Sequence, residues 1–146
     1  MKVSLKDILA DFLVFISEEK NYSNHTLKAY GKDLSTFINF IKKFHLKAFN
    51  DVSKINRSQI RQFMANAFDS GLSSKTVARR LASIKSFFNY LIQVELIEDS
   101  PASSVRSPKI EKSIPNFIHT NKIKTLMGIP DEKTLIGKRD LAILEL

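Results

Sequence analysis

Residues 73–92 read SSKTVARRLASIKSFFNYLI, and the spacing of their apolar positions decides the class of fold. Val77, Leu81, Ile84, Phe88, Leu91 and Ile92 recur at three- and four-residue intervals. At 3.6 residues per turn they gather in a sector about 100° wide, the signature of an amphipathic helix. Ser73 or Ser74 is suited to cap its start, because a serine oxygen accepts from the free N–H groups of a first turn. Opposite the apolar sector lie Lys75, Thr76, Arg79, Ser83, Ser86 and Tyr90, with Arg80 at the edge. This polar side holds no carboxylate. A face that is merely solvated usually mixes signs and gains from Glu–Lys pairs one turn apart. Here only cations, hydroxyls and a phenol are offered, all able to donate to phosphate oxygens or base edges.

The same period runs backwards through the chain. Leu5, Ile8, Leu9, Phe12, Leu13 and Ile16 predict a first helix, with Ser4 as its cap. Leu27, Tyr30, Leu34, Phe37, Ile38, Ile41 and Phe44 predict a second after Ser23 or Asn24. Asn56 and Gln59 form a capping-box pattern ahead of Ile60, Phe63, Met64, Ala67 and Phe68, and Gly71 suits the stop. No stretch alternates with period two over any length. The expectation is all-α: a four-helix bundle over residues 1–95.

Beyond Glu95 the character changes. Pro101, Pro108 and Pro115 fall in a serine-rich, weakly apolar stretch, which reads as an extended interdomain linker over 96–116. From 117 to 146 two helical patterns return, one after a Thr120 cap and one in RDLAILEL. The last is apolar with nothing to pack on, so the expectation is the start of a second, truncated domain.

The 146 residues carry a net charge of +8, and its placement matters more than its size. Residues 1–92 hold 15 Lys and Arg against 7 Asp and Glu, whereas residues 93–146 hold 8 of each. The whole excess lies on the predicted bundle, and such a segment suits a polyanion. The second helix adds Lys28, Lys32, Ser35, Asn39, Lys42 and Lys43 on one face, with Asp33 near its boundary and Gly31 inside it. Gly31 is open to a close backbone approach. Cysteine is absent, so no disulfide, thiol nucleophile or thiolate metal site is available. His25, His45 and His119 are scattered, the glycines form no phosphate loop, and the acids form no metal constellation. No metal or other cofactor is expected. Lys6, Asp7 and Asp11 interrupt the apolar amino terminus, which excludes a signal peptide or membrane span there and points to a cytoplasmic protein.

Four stretches, in order along the chain, resemble a known family. Ser23–Leu34, SNHTLKAYGKDL, resembles the S-x-x-T-x-x-x-Y-x-x-D-L signature of the core-binding domain of tyrosine recombinases. Ser74–Phe88 is similar to that domain's second signature. Ser100-Pro101-Ala102, Pro108-Lys109 and Ile114-Pro115 resemble the joint between the domains of Xer-type recombinases, and KRDLAILEL at 138–146 resembles the opening helix of the catalytic domain.

The resemblance implies a SAM-like core-binding bundle from a site-specific DNA strand-exchange enzyme, working through a phosphotyrosyl intermediate without metal or nucleotide. It implies double-stranded DNA as partner, clamped between two domains, with four protomers assembled on two sites. It places the second and fourth predicted helices against the major groove, with Lys28 and Lys32 on one DNA face and Lys75, Thr76, Arg79, Arg80, Ser83 and Ser86 on the other. The family's catalytic Arg, Lys, His and Tyr would follow beyond Leu146, so this chain by itself is expected to bind DNA and cut nothing. A stand-alone DNA binder and a helical protein-interaction module remain as alternatives.

Overall fold

The computed structural model describes residues 5–110 and 119–146. The described residues are helical, with no strand among them. They form two compact units, one up to Ile110 and one from Glu111 onward.

In the first unit α1 spans Leu5–Glu18, α2 Asn24–Phe44, α3 Leu46–Phe49, α4 Arg57–Asp69 and α5 Ser74–Gln93. A short 3-10 turn, Val52–Lys54, precedes α4. Each boundary has a local cause. Ser23 accepts from the Thr26 N–H at 3.3 Å to start α2, and Ser73 accepts from the Thr76 N–H at 3.3 Å to start α5. Of each pair of candidates, the first residue, Ser23 and Ser73, is therefore the cap. Asn56 and Gln59 close both arms of the capping box ahead of α4, at 3.1 and 2.9 Å. Ser4 lies outside the described residues.

Two helices end in the same way. Gly71 adopts a φ of +78°, and the N–H groups of Gly71 and Leu72 turn back to the Phe68 and Ala67 carbonyls. After α5, Glu95 takes the left-handed position at φ 57°, and Glu95 and Leu96 bond back to Ile92 and Leu91. Both are Schellman closures, and glycine is strain-free there where glutamate is not.

The core lies between α1, α2, α4 and α5. Phe12, Leu34, Ile41, Ile60, Val77, Leu81, Ile84, Phe88 and Leu91 are fully buried, as their spacing predicts. Aromatic edges stitch it together: Phe12 meets Phe87 at 5.5 Å and Phe37 meets Phe63 at 5.2 Å, both edge-on.

The structure departs from the sequence expectation at four places. Phe87 and Ser83 are fully buried although neither belongs to the apolar stripe of α5, because α1 and α2 pack against them: Phe87 meets Phe12 edge-on and Ser83 donates to Asp33. Phe44, Phe68 and Ile92, expected inside, are 55%, 42% and 37% exposed, because each lies in the last turn of its helix, at the end of the bundle rather than across from a neighbouring helix. Residues 46–55, unassigned by periodicity, supply Ala48 and Ile55 to the core from α3 and the turn before α4. Finally, the proline-rich stretch is not extended throughout. Residues 100–105 fold into tight turns that place Ala102 and Val105 in the same core, Ala102 with no exposure at all. The later linker positions, including Ile114 and Pro115, lie outside the described residues, as does Phe117.

The second unit contains α6, Thr120–Met127, and α7, Leu135–Glu145. His119, not Thr120, occupies the cap position of α6 and makes no side-chain cap bond. Thr134 caps α7 through the Gly137 N–H at 3.0 Å. Leu135, Ile136 and Ile143 stand well exposed.

Candidate nucleic-acid interface

The polar side of α5 begins with its cap. Ser73 holds the first turn, the turn contains no acid, and Lys75 is exposed beside it. An unopposed amino-terminal turn attracts anions through its free N–H groups and the helix dipole. From there the exposed arc of α5 passes through Lys75, Arg79, Ala82 and Asn89, flanked by half-buried Lys85 and Ser86. No carboxylate lies on it.

One carboxylate sits directly beneath this arc, and it comes from α2. Asp33 is 1% exposed. Its Oδ2 accepts from Arg79 Nη1 and from the Ser83 hydroxyl, the latter at 3.1 Å. Its Oδ1 lies 3.8 Å from Arg80 Nε, an attraction of charges rather than a hydrogen bond. The Arg80 side chain is 17% exposed and lies over the Phe63 ring at 5.9 Å. Arg79 remains 47% exposed. Asp33 thus fixes one edge of the Arg79 guanidinium and leaves the rest of the fork facing solvent, ready for a bidentate oxyanion contact.

The residues singled out by sequence divide accordingly. Lys28, Lys32, Lys75 and Arg79 are exposed, whereas Thr76, Arg80 and Ser86 are half-buried. Ser83 is fully buried with its hydroxyl committed to Asp33, so it has no free surface to present to a ligand. Lys32 adjoins Asp33 on α2, and the Asp33–Arg79 pair joins that helix to α5. Toward the far end of α2, Lys42 and Lys43 lie over the Phe49 and Phe44 rings at 5.7 and 5.1 Å and shield exposed aromatic surface. Tyr90 is no part of the polar arc; its ring packs against Phe12 and Phe15 at 5.4 and 5.0 Å.

Tyr30 lies beside this junction, stacked on Phe12 at 6.4 Å and edge-on to Tyr22 at 5.8 Å. Burial raises its phenol above the ordinary value of 10.0, with Tyr22 adding to the shift. Gly31 needs no close approach. A Cβ there would meet Leu13 at 3.5 Å, an ordinary contact. Sequence reading placed Asp33 at the boundary of the α2 face and missed its role as the buried counter-charge of Arg79 and Arg80. An acid at the border between the apolar and polar sides of one helix, across from arginines on another, is the available signal.

Among the described residues no cluster of His, Asp and Glu is suited to a metal ion. None of the described helices is long and apolar enough to cross a membrane.

The model of the phage integrase N-terminal SAM-like domain matches residues 9–95. Tyrosine recombinase XerD of Listeria innocua serovar 6a is 34% identical over 142 residues, covering 97% of this chain and 47% of that protein. Tyrosine recombinase XerC of Pelotomaculum thermopropionicum is 36% identical over 137 residues, covering 92% and 45%. Tyrosine recombinase XerC of Bacillus subtilis (strain 168) is 30% identical over 143 residues, covering 98% and 46%. The chain spans about half the length of the curated relatives it matches. No solved structure matches it. With its caps, its all-helical bundle and a family match over residues 9–95, the chain belongs to the phage integrase N-terminal SAM-like domains, of the Xer tyrosine recombinase type.

Proposed function

We propose that this chain is the DNA-binding portion of a site-specific tyrosine recombinase of the cytoplasm, gripping duplex DNA through the polar sides of α2 and α5. The observation that carries this reading is the carboxylate-free arc of α5, with Arg79 held at its root by buried Asp33. Lys28, Lys32, Lys75 and Arg79 supply exposed positive charge to phosphates. Thr76, Arg80 and Ser86 border them, and the first turn of α5 adds backbone donors. Ser83 acts through Asp33 and does not touch DNA. Strand cleavage would be the work of the family's catalytic domain, with other protomers, four on two sites, completing the assembly. Chromosome-dimer resolution and integration are the two tasks such a module would serve.

Binding to random-sequence duplex over a salt series tests the proposal. Each neutralised phosphate contributes about 0.9 to the log–log slope, so a grip through several cations gives a slope several units below zero. Arg79→Ala with Arg80→Ala makes the slope shallower and the affinity lower. Affinity that is negligible at low salt, or unaffected by salt, overturns the proposal.

A further inference from the structure

α4 carries a second cationic feature that the proposed DNA-binding arc does not use. Arg57 and Arg61 stand exposed on its outward side, and Arg106 reaches the same place from beyond the Ala102–Val105 turn. Together they rim a groove of about 460 Å³ whose floor includes Met64, Phe68 and Val105. Phe68 is 42% exposed there although its helical position places it among apolar neighbours. None of the three arginines has an ion-pair partner among the described residues. The complement lies elsewhere on the same chain. The turn after α5 reads Glu95-Leu96-Ile97-Glu98-Asp99, with Leu96 43% exposed and all three acids exposed. Its acids likewise have no Lys or Arg partner among the described residues.

We infer that the arginine-rimmed groove of α4 docks the acidic Glu95–Asp99 turn of a second copy of this chain. Both kinds of complementarity agree. The turn offers negative charge around an apolar side chain, and the groove offers positive charge around an apolar floor. A hydrated DNA phosphate would use the arginines but gain nothing from Met64, Phe68 and Val105, whereas Leu96 fills that floor and removes apolar surface from water. Each copy carries both halves, so a reciprocal pair or a closed ring leaves neither half unfilled. The contact uses no residue assigned to DNA, and it stands or falls separately from DNA binding.

A charge swap in the full 146-residue chain tests it. Sedimentation of the unaltered chain should show self-association that weakens as salt rises, because the rim contacts are ionic. Arg57→Glu with Arg61→Glu, and separately Glu98→Lys with Asp99→Lys, should each weaken that association by about tenfold or more. All four positions are exposed, and thermal melts confirm that both variants fold. Mixing the two variants should restore association, since the intact turn of one meets the intact groove of the other and the reversed halves attract. A chain that is monomeric at every concentration overturns the inference. So does self-association unchanged in both variants, which would trace it to apolar surface such as Leu135 and Ile136. A mixture that fails to recover overturns it as well. Weaker DNA binding by the α4 variant with undiminished self-association would assign the groove to phosphates instead.

Discussion

Asp33 does two things at once. Its carboxylate joins α2 to α5 inside the bundle, and it sets the angle at which Arg79 leaves the surface. Asp33→Asn keeps the shape and can still accept from Ser83, but it leaves Arg79 and Arg80 without their counter-charge. The expected loss of stability is about 1–3 kcal/mol, read from denaturant unfolding. DNA affinity, measured where the variant remains folded, falls by more than Ser83→Ala lowers it, because the Arg79 fork is no longer held. Equal affinities for the two variants would reduce Asp33 to a packing residue. Tyr30 makes a prediction in pH. Its folded-state value is raised by burial and then by Tyr22, so folding favours the neutral phenol. That contribution is complete below about 10, the value of an unfolded tyrosine, and is lost as pH rises through the raised folded value. Unfolding midpoints followed into alkaline solution should fall less steeply for Tyr30→Phe than for the unaltered chain. Identical slopes would mean that Tyr30 ionises as freely folded as unfolded.

At the scale of the helix, the two glycines of the bundle call for opposite substitutions. Gly31 sits inside α2 with room for a methyl group against Leu13 at 3.5 Å. Gly31→Ala should therefore stabilise the bundle by about 0.5–1 kcal/mol, the difference in helix propensity. Gly71 has open space around it but a φ of +78°, so the obstacle is backbone and not neighbours. Gly71→Ala should cost about 1 kcal/mol and loosen the closure of α4. Thermal melts of the two variants should move in opposite directions. The elements themselves were legible because a 3.6-residue period and side-chain caps act locally: Ser23, Asn56 and Ser73 all cap as their spacing suggests. Periodicity had less to work with between His45 and Ile55, where α3 has a single turn. It also missed Ala102 and Val105, since an apolar pair in a proline-rich stretch has no period at all.

Across the whole bundle, stability rests on one aromatic and aliphatic core, and DNA contact is proposed for the faces outside it. Leu81→Ala removes a fully buried side chain from the helix that carries the cationic arc. It should cost about 2–5 kcal/mol by leaving a cavity, while DNA affinity of the folded fraction stays close to that of the unaltered chain. Calorimetry with binding at a temperature below the melt separates the two effects. A matching loss of affinity would mean that the core sets the helix faces more tightly than supposed. Arg79→Ala with Arg80→Ala should lower both stability and affinity, since it removes charge from the proposed DNA face and leaves buried Asp33 without a counter-charge. Unlike Leu81→Ala, it lowers DNA affinity in the folded fraction as well.

The sequence alone determined the all-helical class, the starts of α2, α4 and α5 to within a residue, most of the buried positions and the concentration of positive charge ahead of residue 93. These follow from rules that act within one helix: period, capping and the sign of a face. It could not distinguish Arg79, half free and half held, from Arg80 drawn inward, nor Ser83 from a surface hydroxyl. That division is decided by the crossing of α2 and α5, which brings Asp33 from 46 residues away onto Arg79. It could not gather Arg57, Arg61 and Arg106 around one groove either. Only the fold of residues 100–105 back onto the core brings Arg106 to α4, because burying Ala102 and Val105 removes apolar surface that the extended stretch would leave in water.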